Sequence, residues 1–269
     1  MKIHIDDDFD LRKIADSGQC FRAVRVEGDK FRFIHGHRVL YIEDCGSGFF
    51  NLSCSEDEWS RVWRPYFDLD TDYSEIRSLA SDPFMRQAAA AGTGIRILQQ
   101  DPWETLISFI ISQRKSIPAI RGCVEALASR FGRPILGEDG LFVFPTVDEL
   151  ALATEDDLNR CKLGYRTPYV LDAVHKVSGG EIDLSEISSL SDDALLEKLM
   201  TVHGVGIKVA SCVALFAYGR KGVAPVDTWI RKMIDAHYAG VNPFPSYGNV
   251  AGVMQQYVFF NAIGAGDPQ

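Results

Sequence analysis

The sequence predicts an α+β fold, with an N-terminal antiparallel β-sheet domain over residues 1–80 and a two-lobed, all-helical region over residues 81–269. Up to about residue 75, short stretches of alternating apolar and polar residues are separated by turn residues, which is typical of an antiparallel meander. From about Ser81 onward, apolar residues recur at helical spacing. Hydrophobic residues make up 46% and charged residues 24% of the chain, as in ordinary globular proteins.

The first domain is expected to contain a meander followed by one short helix. Residues 57–66 place Trp59, Trp63 and Tyr66 on one helical face, so these aromatic side chains are expected in the core. Four segments alternate between apolar and polar residues and are predicted strands: 19–26, 30–35, 38–43 and 48–54.

The helical region contains a helix-hairpin-helix pattern over residues 192–219. Ser191 followed by two acidic residues is typical of a helix start. Gly204 and Gly206 then bracket one aliphatic residue in a tight turn, and the apolar run 209–216 predicts the second helix. The first N–H groups of a helix have no partner within it, so the start of the second helix is expected to bind an anion, and phosphate is the obvious ligand.

Two ionisable residues of this region indicate chemistry. Lys208 lies in the first turn of the second helix, where the helix dipole and partial burial among apolar neighbours are expected to favour the neutral, nucleophilic amine. A solvated surface lysine is the ordinary alternative. Asp227 follows in a Pro-Val-Asp segment and is expected to cap the next helix. A carboxylate at a helix start stays ionised, so capping and catalysis are compatible.

Compartment and membrane association are indicated by three simple features. The six cysteines show no CxxC spacing and are expected to be reduced and mostly buried. No apolar run reaches about 18 residues, so no transmembrane span and no membrane partner are predicted. The first ten residues are acidic and lack the apolar stretch of a secretory signal, so the protein is expected in the cytoplasm.

These motifs resemble those of a known enzyme family. The Gly-Val-Gly hairpin, Lys208 and Asp227 resemble the helix-hairpin-helix (HhH-GPD) DNA glycosylases that carry a catalytic lysine. Residues 17–22 read Ser-Gly-Gln-Cys-Phe-Arg and resemble the Ser-Gly-Gln-x-Phe-Arg segment of the 8-oxoguanine DNA glycosylase/AP lyase family. Recognisable motifs extend from Gly18 to Phe259, so the resemblance spans nearly the whole chain.

The resemblance implies a binding site for a damaged base. Gly18 matches the glycine whose carbonyl accepts a hydrogen bond from N7–H of 8-oxoguanine, a bond that guanine, with an acceptor at N7, cannot make. Gln255 and Phe259, on a helix predicted over 249–263, match the residues that bind and stack on the flipped base. Cys212 would cover the other face of the base. On spacing alone, a core phenylalanine and a surface glutamine are the ordinary alternative.

The resemblance also implies that two polar segments contact the duplex. Arg114 lies in a break between two predicted helices, where the family usually has an asparagine that fills the gap left by the extruded base; an arginine can also stack there. Tyr165 and Arg166 match a Leu-Gly-Tyr-Arg segment whose tyrosine wedges into the base stack and whose arginine contacts the opposite cytosine. A second cytosine-contacting arginine would fall at Ala119 and is absent, so we expect loose discrimination for cytosine opposite the lesion.

The charge distribution is compatible with a double-stranded DNA partner, although the formal net charge is −9. Residues 95–135 carry a net charge of +3 and residues 200–269 a net charge of +2, whereas the other two segments of the chain are acidic. The helix break and the hairpin lie in the two positive segments. Net charges of this size in two segments also arise by chance, which is the ordinary alternative. We expect modest, salt-sensitive affinity for undamaged DNA, a monomeric protein, and association with the nucleoid when bound to DNA.

The resemblance further implies a bifunctional enzyme that removes 8-oxoguanine from duplex DNA. Lys208 would attack C1′ of the sugar and form a Schiff base, and Asp227 would stabilise the transition state. Gly204 and Gly206 would let the backbone grip a phosphate, and β-elimination would nick the strand.

No cofactor is required for this chemistry. Relatives hold a cation at the hairpin, so Na⁺, K⁺, Ca²⁺ or Mg²⁺ is expected on the backbone carbonyls of Met200, Val202 and Val205. Some members carry an iron–sulfur cluster on four C-terminal cysteines. Because no cysteine follows Cys212, no such cluster is expected.

Other functions predict different behaviour. A glycosylase for another damaged base, such as an alkylated purine, is disfavoured by Lys208, because such relatives generally use only the aspartate. A non-catalytic helix-hairpin-helix DNA-binding protein would bind DNA without regard to lesions and would need no Lys208. A metabolic enzyme finds no support, because the sequence has no P-loop or GxGxxG motif.

Overall fold

The chain divides into two units in the computed structural model, which describes residues 1–264. The first unit comprises Met1–Phe33, Leu40–Gln99 and the chain from Gly219 onward, and the second comprises Ile34–Val39 and Gln100–Tyr218. The helices after Gly219 therefore belong to the same compact unit as most of the β-sheet. A domain boundary near residue 80 stays a prediction, and residues 265–269 of the predicted helical region lie outside the described residues.

The N-terminal sheet confirms the predicted meander. The strands are β1 (Lys2–His4), β2 (Val24–Glu27), β3 (Lys30–His35), β4 (Arg38–Asp44) and β5 (Phe49–Leu52). Their order in the sheet is β1-β5-β4-β3-β2. The pairs β1–β5, β2–β3 and β4–β5 are antiparallel.

Two parts of the sheet differ from the sequence prediction. Strand β2 begins at Val24, whereas residues 19–23 are not a strand. The physical reason lies at Gln19, whose buried side chain bonds to the backbone of Arg96 and Leu98 and so holds this stretch in a turn. Strand β1 was not predicted, because its acidic surroundings give no alternating pattern and its partner, β5, is distant in the chain.

The helices follow the sequence pattern closely. Residues 56–66 form two short helical turns joined by a π-type turn, and they bury Trp59, Trp63 and Tyr66 as predicted. A 3₁₀ turn over Phe244–Val250 precedes the last helix. The helices are α1 (Leu11–Asp16), α2 (Glu56–Glu58), α3 (Arg64–Tyr66), α4 (Tyr73–Ser78), α5 (Pro83–Ala91), α6 (Pro102–Ser112), α7 (Ile117–Phe131), α8 (Val147–Ala151), α9 (Glu155–Arg160), α10 (Thr167–Ser178), α11 (Asp192–Met200), α12 (Ile207–Phe216), α13 (Thr228–Tyr238) and α14 (Ala251–Gly264).

The second unit is organised around the packing of α6 against α12. The sequence predicts a helix start at residues 101–104, because proline at the first helical position is typical of one. Helix α6 begins there: Asp101 caps the backbone N–H of Glu104 at 2.9 Å, and Pro102 occupies the first turn. Phe109 of α6 stacks on Phe216 of α12 with ring centroids 5.5 Å apart. This packing fixes the helix that follows the hairpin.

The side chains of five cysteines are buried, as predicted, and Cys45 is exposed. Across residues 1–264, no helix combines the length and the apolar character that crossing a membrane requires. The buried cysteines are Cys20, Cys54, Cys123, Cys161 and Cys212.

Candidate functional site

Helices α11 and α12 form the predicted helix-hairpin-helix. The Ser191 side chain caps α11, as expected. The turn closes through a hydrogen bond from Val205 N to Val202 O at 3.0 Å. Gly206 stands at the N-terminal cap position of α12 and offers no side-chain acceptor to the first N–H groups of that helix. These donors are therefore available to an external anion.

The two hairpin glycines serve different purposes. Gly204 has a φ of +79°, and a Cβ at this position would lie 2.4 Å from the ring of Tyr169 on α10. Gly206 has a φ of −95°, and a Cβ there would meet nothing within 4 Å. Gly204 is thus required by backbone conformation and packing, whereas Gly206 leaves the start of α12 uncovered.

Helix α10 fixes the hairpin backbone. Asp172 accepts a hydrogen bond from His203 N at 2.7 Å and pairs with Lys176 at 3.1 Å. Lys176 Nζ also donates to Thr201 O. Burial by itself would raise the pKa of Asp172, but the His203 N–H and Lys176 outweigh burial and lower it. The carboxylate therefore stays ionised and holds the turn.

Lys208, the predicted nucleophile, lies in the first turn of α12 and is half-buried. Its Nζ is 5.4 Å from the centroid of the Phe109 ring. Phe109 is buried and is itself held by Phe216. The lysine side chain therefore packs on an aromatic surface that α6 supplies.

Arg166 organises the break between α6 and α7. Its guanidinium is buried; Nε donates to Gln113 O at 2.8 Å, and Nη2 donates to Gln113 O and, at 3.2 Å, to Arg114 O. Nη1 donates to Leu163 O at 3.2 Å. These bonds hold Arg114 in a left-handed conformation, with a φ of +50°. A contact of Arg166 with an opposite cytosine stays a prediction.

Tyr165 adds a second bond to the same break. Its hydroxyl donates to Gln113 O at 3.1 Å, while 51% of the residue remains exposed. Lys115 donates to Lys162 O at 2.8 Å and so joins the break to the segment before Tyr165. Arg114 is exposed, and Ala119 is exposed in the first turn of α7. In this unit Arg114 and Tyr165 are therefore exposed, whereas Arg166 is buried and holds their backbone through bonds to carbonyl groups.

In the first unit, Gly18 lies in a turn that buried side chains hold. Its φ is +75°, a conformation that glycine adopts readily. Gln19 donates to Ser17 Oγ and to Arg96 O, each at 2.8 Å. Gln256 donates to Ser17 O at 2.7 Å. The carbonyl group predicted to recognise the base is therefore part of a fixed turn.

Helix α14 carries Gln255 and Phe259 one turn apart. Gln255 is only 4% exposed, and its Oε1 has no hydrogen-bond partner within residues 1–264. A buried acceptor without a partner is unfavourable, which is typical of a group that meets a ligand. Phe259 is partly exposed. Cys212 lies on α12 in the second unit and is buried.

Asp227 caps α13, as predicted. Its Oδ1 accepts a hydrogen bond from Ile230 N at 2.8 Å. Trp229 follows in the first turn, with its ring 4.6 Å from Lys232 Nζ. Asp227 belongs to the first unit and Lys208 to the second. The catalytic roles of these two residues stay predictions.

A side-chain metal centre is absent from residues 1–264, where no group of three or more His, Cys, Asp or Glu residues could hold an ion. The expected cation ligands are instead the carbonyls of Met200, Val202 and Val205, at the end of α11 and in the turn. Val202 O accepts the Val205 N–H, and a carbonyl oxygen has a second lone pair for a cation. Neutral oxygen donors suit alkali and alkaline-earth ions.

Two protein families match consecutive parts of the chain. Residues 2–106 match "8-oxoguanine DNA glycosylase, N-terminal domain", and residues 107–255 match "HhH-GPD superfamily base excision DNA repair protein". The chain belongs to the 8-oxoguanine DNA glycosylase family. This confirms the family that the sequence motifs indicated.

Relatives of this family match in sequence and in fold. An N-glycosylase/DNA lyase from Saccharomyces cerevisiae is 33% identical over 73% of this chain; the match spans 54% of the yeast protein, about half its length. A structure of MBOgg1 with a low-affinity DNA ligand has 34% identity and a TM-score of 0.93, covering 99% of this chain and 96% of that chain. The Clostridium acetobutylicum 8-oxoguanine glycosylase/lyase, in complex with double-stranded DNA containing cytosine opposite 8-oxoG, has 35% identity and a TM-score of 0.89 over 98% of both chains. The predicted α+β fold with its helix-hairpin-helix is confirmed.

Several residues that shape the site were not predicted. Tyr169, Asp172 and Lys176 support the hairpin, and Gln256 supports the Gly18 turn. Residues four apart on a helix, such as Asp172 and Lys176, are typical of an intrahelical ion pair, and this spacing carries no sign of a bond to the hairpin. Their backbone partners are distant in the chain, so no local pattern could reveal these contacts.

Proposed function

We propose that this protein is a bifunctional DNA glycosylase/AP lyase that removes 8-oxoguanine from double-stranded DNA in base excision repair. The observation that carries the proposal is the position of Lys208, in the first turn of α12 directly after the hairpin, in a chain of the 8-oxoguanine DNA glycosylase family. A lysine amine at this place supplies the nucleophile that a lyase needs.

The second unit binds the sugar–phosphate backbone. The N–H groups at the start of α12 donate to a phosphate on the 3′ side of the lesion, and Gly206 leaves them accessible. An alkali or alkaline-earth cation on the carbonyls of Met200, Val202 and Val205 would add positive charge beside that phosphate. Asp172 and Lys176 hold the hairpin backbone at His203 N and Thr201 O.

The damaged nucleotide leaves the duplex, at a cost of roughly a few kcal/mol for unstacking. Arg114 and Tyr165, which are exposed, fill the gap and wedge into the stack. Arg166 keeps the Gln113–Arg114 backbone in place for that insertion. Position 119 is alanine and supplies no second arginine to contact the opposite cytosine, so the enzyme discriminates only weakly between cytosine and other bases opposite the lesion.

The first unit recognises the extruded base. The carbonyl of Gly18 accepts N7–H of 8-oxoguanine and repels the N7 lone pair of guanine. The unpartnered Oε1 of Gln255 supports this assignment, because a base edge would supply the missing donor. Phe259 stacks on one face of the base, and the role of Cys212, which belongs to the second unit, stays a prediction.

The chemistry proceeds through a covalent intermediate. The neutral Lys208 amine bonds to C1′ while the C1′–N9 bond breaks and the base departs with the bonding electrons. The Asp227 carboxylate stabilises the positive charge that develops on the sugar. Proton loss and ring opening then give a Schiff base, and β-elimination breaks the 3′ C–O bond and nicks the strand.

We expect the enzyme to act as a monomer in the compartment that holds the genome. A cytoplasmic location, with association to the nucleoid when DNA is bound, stays a prediction.

Borohydride trapping tests this function directly. Wild type, Lys208→Gln and Lys198→Gln are mixed with a duplex carrying 8-oxoguanine opposite cytosine, or with the matching guanine duplex. We expect a covalent adduct only on the lesion duplex, lost in Lys208→Gln and retained in Lys198→Gln, which changes a lysine of α11. Binding of the lesion duplex should survive in Lys208→Gln.

Other outcomes contradict the proposal in distinct ways. Base release without an adduct would indicate a glycosylase that uses only the aspartate. Cleavage by Lys208→Gln would refute the lysine nucleophile. The absence of both an adduct and base release would refute 8-oxoguanine as the substrate. A panel of alkylated bases would then distinguish a glycosylase for another base from a protein that only binds DNA.

A further inference from the structure

The turn formed by Ser17, Gly18 and Gln19 is held on its C-terminal side by Gln19. The Gln19 side chain is buried; Nε2 donates to Arg96 O and Oε1 accepts from Leu98 N, each at 2.8 Å. The residue that follows Gly18 is therefore fixed against the segment after α5.

The N-terminal side of the turn is held by Gln256 of α14. This side chain is 2% exposed, and its Nε2 donates to Ser17 O at 2.7 Å. Ser17 O belongs to the peptide group that precedes Gly18. The Ser17 hydroxyl is itself bonded to Ile14 O at 2.7 Å, at the end of α1. The backbone on both sides of Gly18 therefore has a fixed orientation.

Gln255 and Gln256 have different surroundings because successive helical side chains point about 100° apart. Gln255 Oε1 is buried without a partner in the described chain, whereas Gln256 is bonded to Ser17. Helix α14 is fixed in turn against α5, where a Cβ on Gly92 would lie 2.3 Å from the ring of Tyr257. Gln256 thus extends from a well-anchored helix.

We infer that Gln256 is a positioning residue for lesion recognition, which fixes the direction of the Gly18 carbonyl through the Ser17–Gly18 peptide group. The inference rests on the proposed function, in which that carbonyl accepts N7–H of 8-oxoguanine. Glycine has no side chain to restrict its torsions, so its neighbours must orient its carbonyl. Hydrogen bonds weaken steeply when their geometry departs from linear, so a rotated carbonyl would accept N7–H poorly.

The same contact joins the two parts of the proposed base site within this unit. Helix α14 carries Gln255 and Phe259, and the turn carries Gly18. The bond from Gln256 to Ser17 O therefore connects the helix that stacks on the base to the turn that recognises N7–H.

Gln256→Met tests the inference, because methionine keeps the length of the side chain and removes the donor. We expect the single-turnover rate of 8-oxoguanine excision to fall about tenfold, as for the loss of one buried hydrogen bond. Cleavage of a duplex with a preformed abasic site should stay within about twofold of wild type, because that substrate has no base to recognise. Gln256→Glu is a second test: a protonated glutamic acid can donate to Ser17 O, so its excision rate relative to wild type at the same pH should rise as the pH falls from about 8 to about 6.

Val258→Ala is the matched control. Val258 is buried on α14, about 200° around the helix from Gln256, and has no polar group. This variant should lower the melting temperature without changing the ratio of excision to abasic-site cleavage.

Equal losses of both activities in Gln256→Met would overturn the inference, since they would show that Gln256 only supports the fold. An unchanged excision rate would also overturn it, because the carbonyl would then be fixed without Gln256. A wild-type protein that cleaves abasic sites but leaves 8-oxoguanine in place would refute the proposed substrate instead.

Discussion

The two units hold their predicted DNA-contacting segments with different kinds of side chain. In the second unit, Arg166 and Lys176 donate charged hydrogen bonds to backbone carbonyls of the helix break and the hairpin. In the first unit, the Gly18 turn is held by the neutral amides of Gln19 and Gln256.

The difference follows from the surroundings of each segment. Lys176, beside the hairpin, is partly exposed, so its cation keeps part of its hydration and adds to the attraction for phosphate. Arg166, at the helix break, is buried, and its donors are bonded to backbone carbonyls. The Gly18 turn is enclosed by buried residues, where an unpaired charge is much more unfavourable than an amide whose donors and acceptors are satisfied. The buried cation behind that turn, Arg96, accordingly has Asp7 as a counterion at 3.2 Å.

The comparison predicts that changes in the first unit alter excision, whereas changes at the hairpin and helix break alter affinity for any duplex. Asp227→Asn should give the largest effect. Asparagine can still accept the Ile230 N–H and cap α13, but it removes the charge that stabilises the transition state, so we expect excision to slow by about 10²–10³-fold. Single-turnover excision and duplex affinity, measured together, check this prediction.

Asp227→Ala is the comparison variant for this residue. Alanine cannot cap α13, so this variant should also lower the free energy of unfolding by about 1 kcal/mol. A wild-type excision rate in Asp227→Asn would show that the carboxylate serves only as a cap.

The two hairpin glycines of the second unit distinguish an effect on folding stability from an effect on DNA affinity. Gly204→Ala should lower the free energy of unfolding by about 1–3 kcal/mol from the backbone conformation alone, with a further loss from overlap with Tyr169. Gly206→Ala should leave the melting temperature nearly unchanged, because its Cβ meets no atom of the protein. Both variants should bind undamaged duplex more weakly, as measured by fluorescence anisotropy. Wild-type affinity in Gly206→Ala would show that no phosphate approaches the start of α12.

Arg166→Met should weaken binding to undamaged duplex about tenfold and lower the free energy of unfolding by about 1–3 kcal/mol, because Arg114 O loses the Arg166 donor and Gln113 O keeps only the Tyr165 hydroxyl. Urea denaturation and anisotropy at two salt concentrations provide the measurements. Arg160→Met is the control, since Arg160 is exposed and its ion pair with Asp157 is long, at 3.8 Å. Equal effects of the two variants would mean that only the positive charge matters.

The smallest effect concerns the base opposite the lesion. Wild type should excise 8-oxoguanine opposite all four bases with rates within about tenfold, and Ala119→Arg should shift the preference toward cytosine by a few-fold, about 1 kcal/mol. Excision rates on four duplexes that differ only in the opposite base check both statements. A strict cytosine requirement in wild type would overturn the expected loose discrimination.

The sequence indicated the helix-hairpin-helix, the Asp227 cap and the proline start of α6 correctly, because each depends on residues within one or two helical turns. Residues 19–23 show where local pattern misleads. Their alternation is typical of a strand, but the side chain of Gln19 finds its partners at Arg96 and Leu98, and the stretch forms a turn. Strand β1 was missed for the same reason, since its pairing with β5 is non-local.

The sequence by itself determined the family, the helix-hairpin-helix and the identity of the candidate residues, since capping, glycine turns and motif spacing are local properties. Tertiary structure decided how those residues are held. Gln256 lies beside Ser17, Tyr169 beneath Gly204, and Arg166 against Gln113 only after the chain has folded. A side-chain hydrogen bond depends on where a distant backbone group lies in space, and a local sequence pattern does not contain that position.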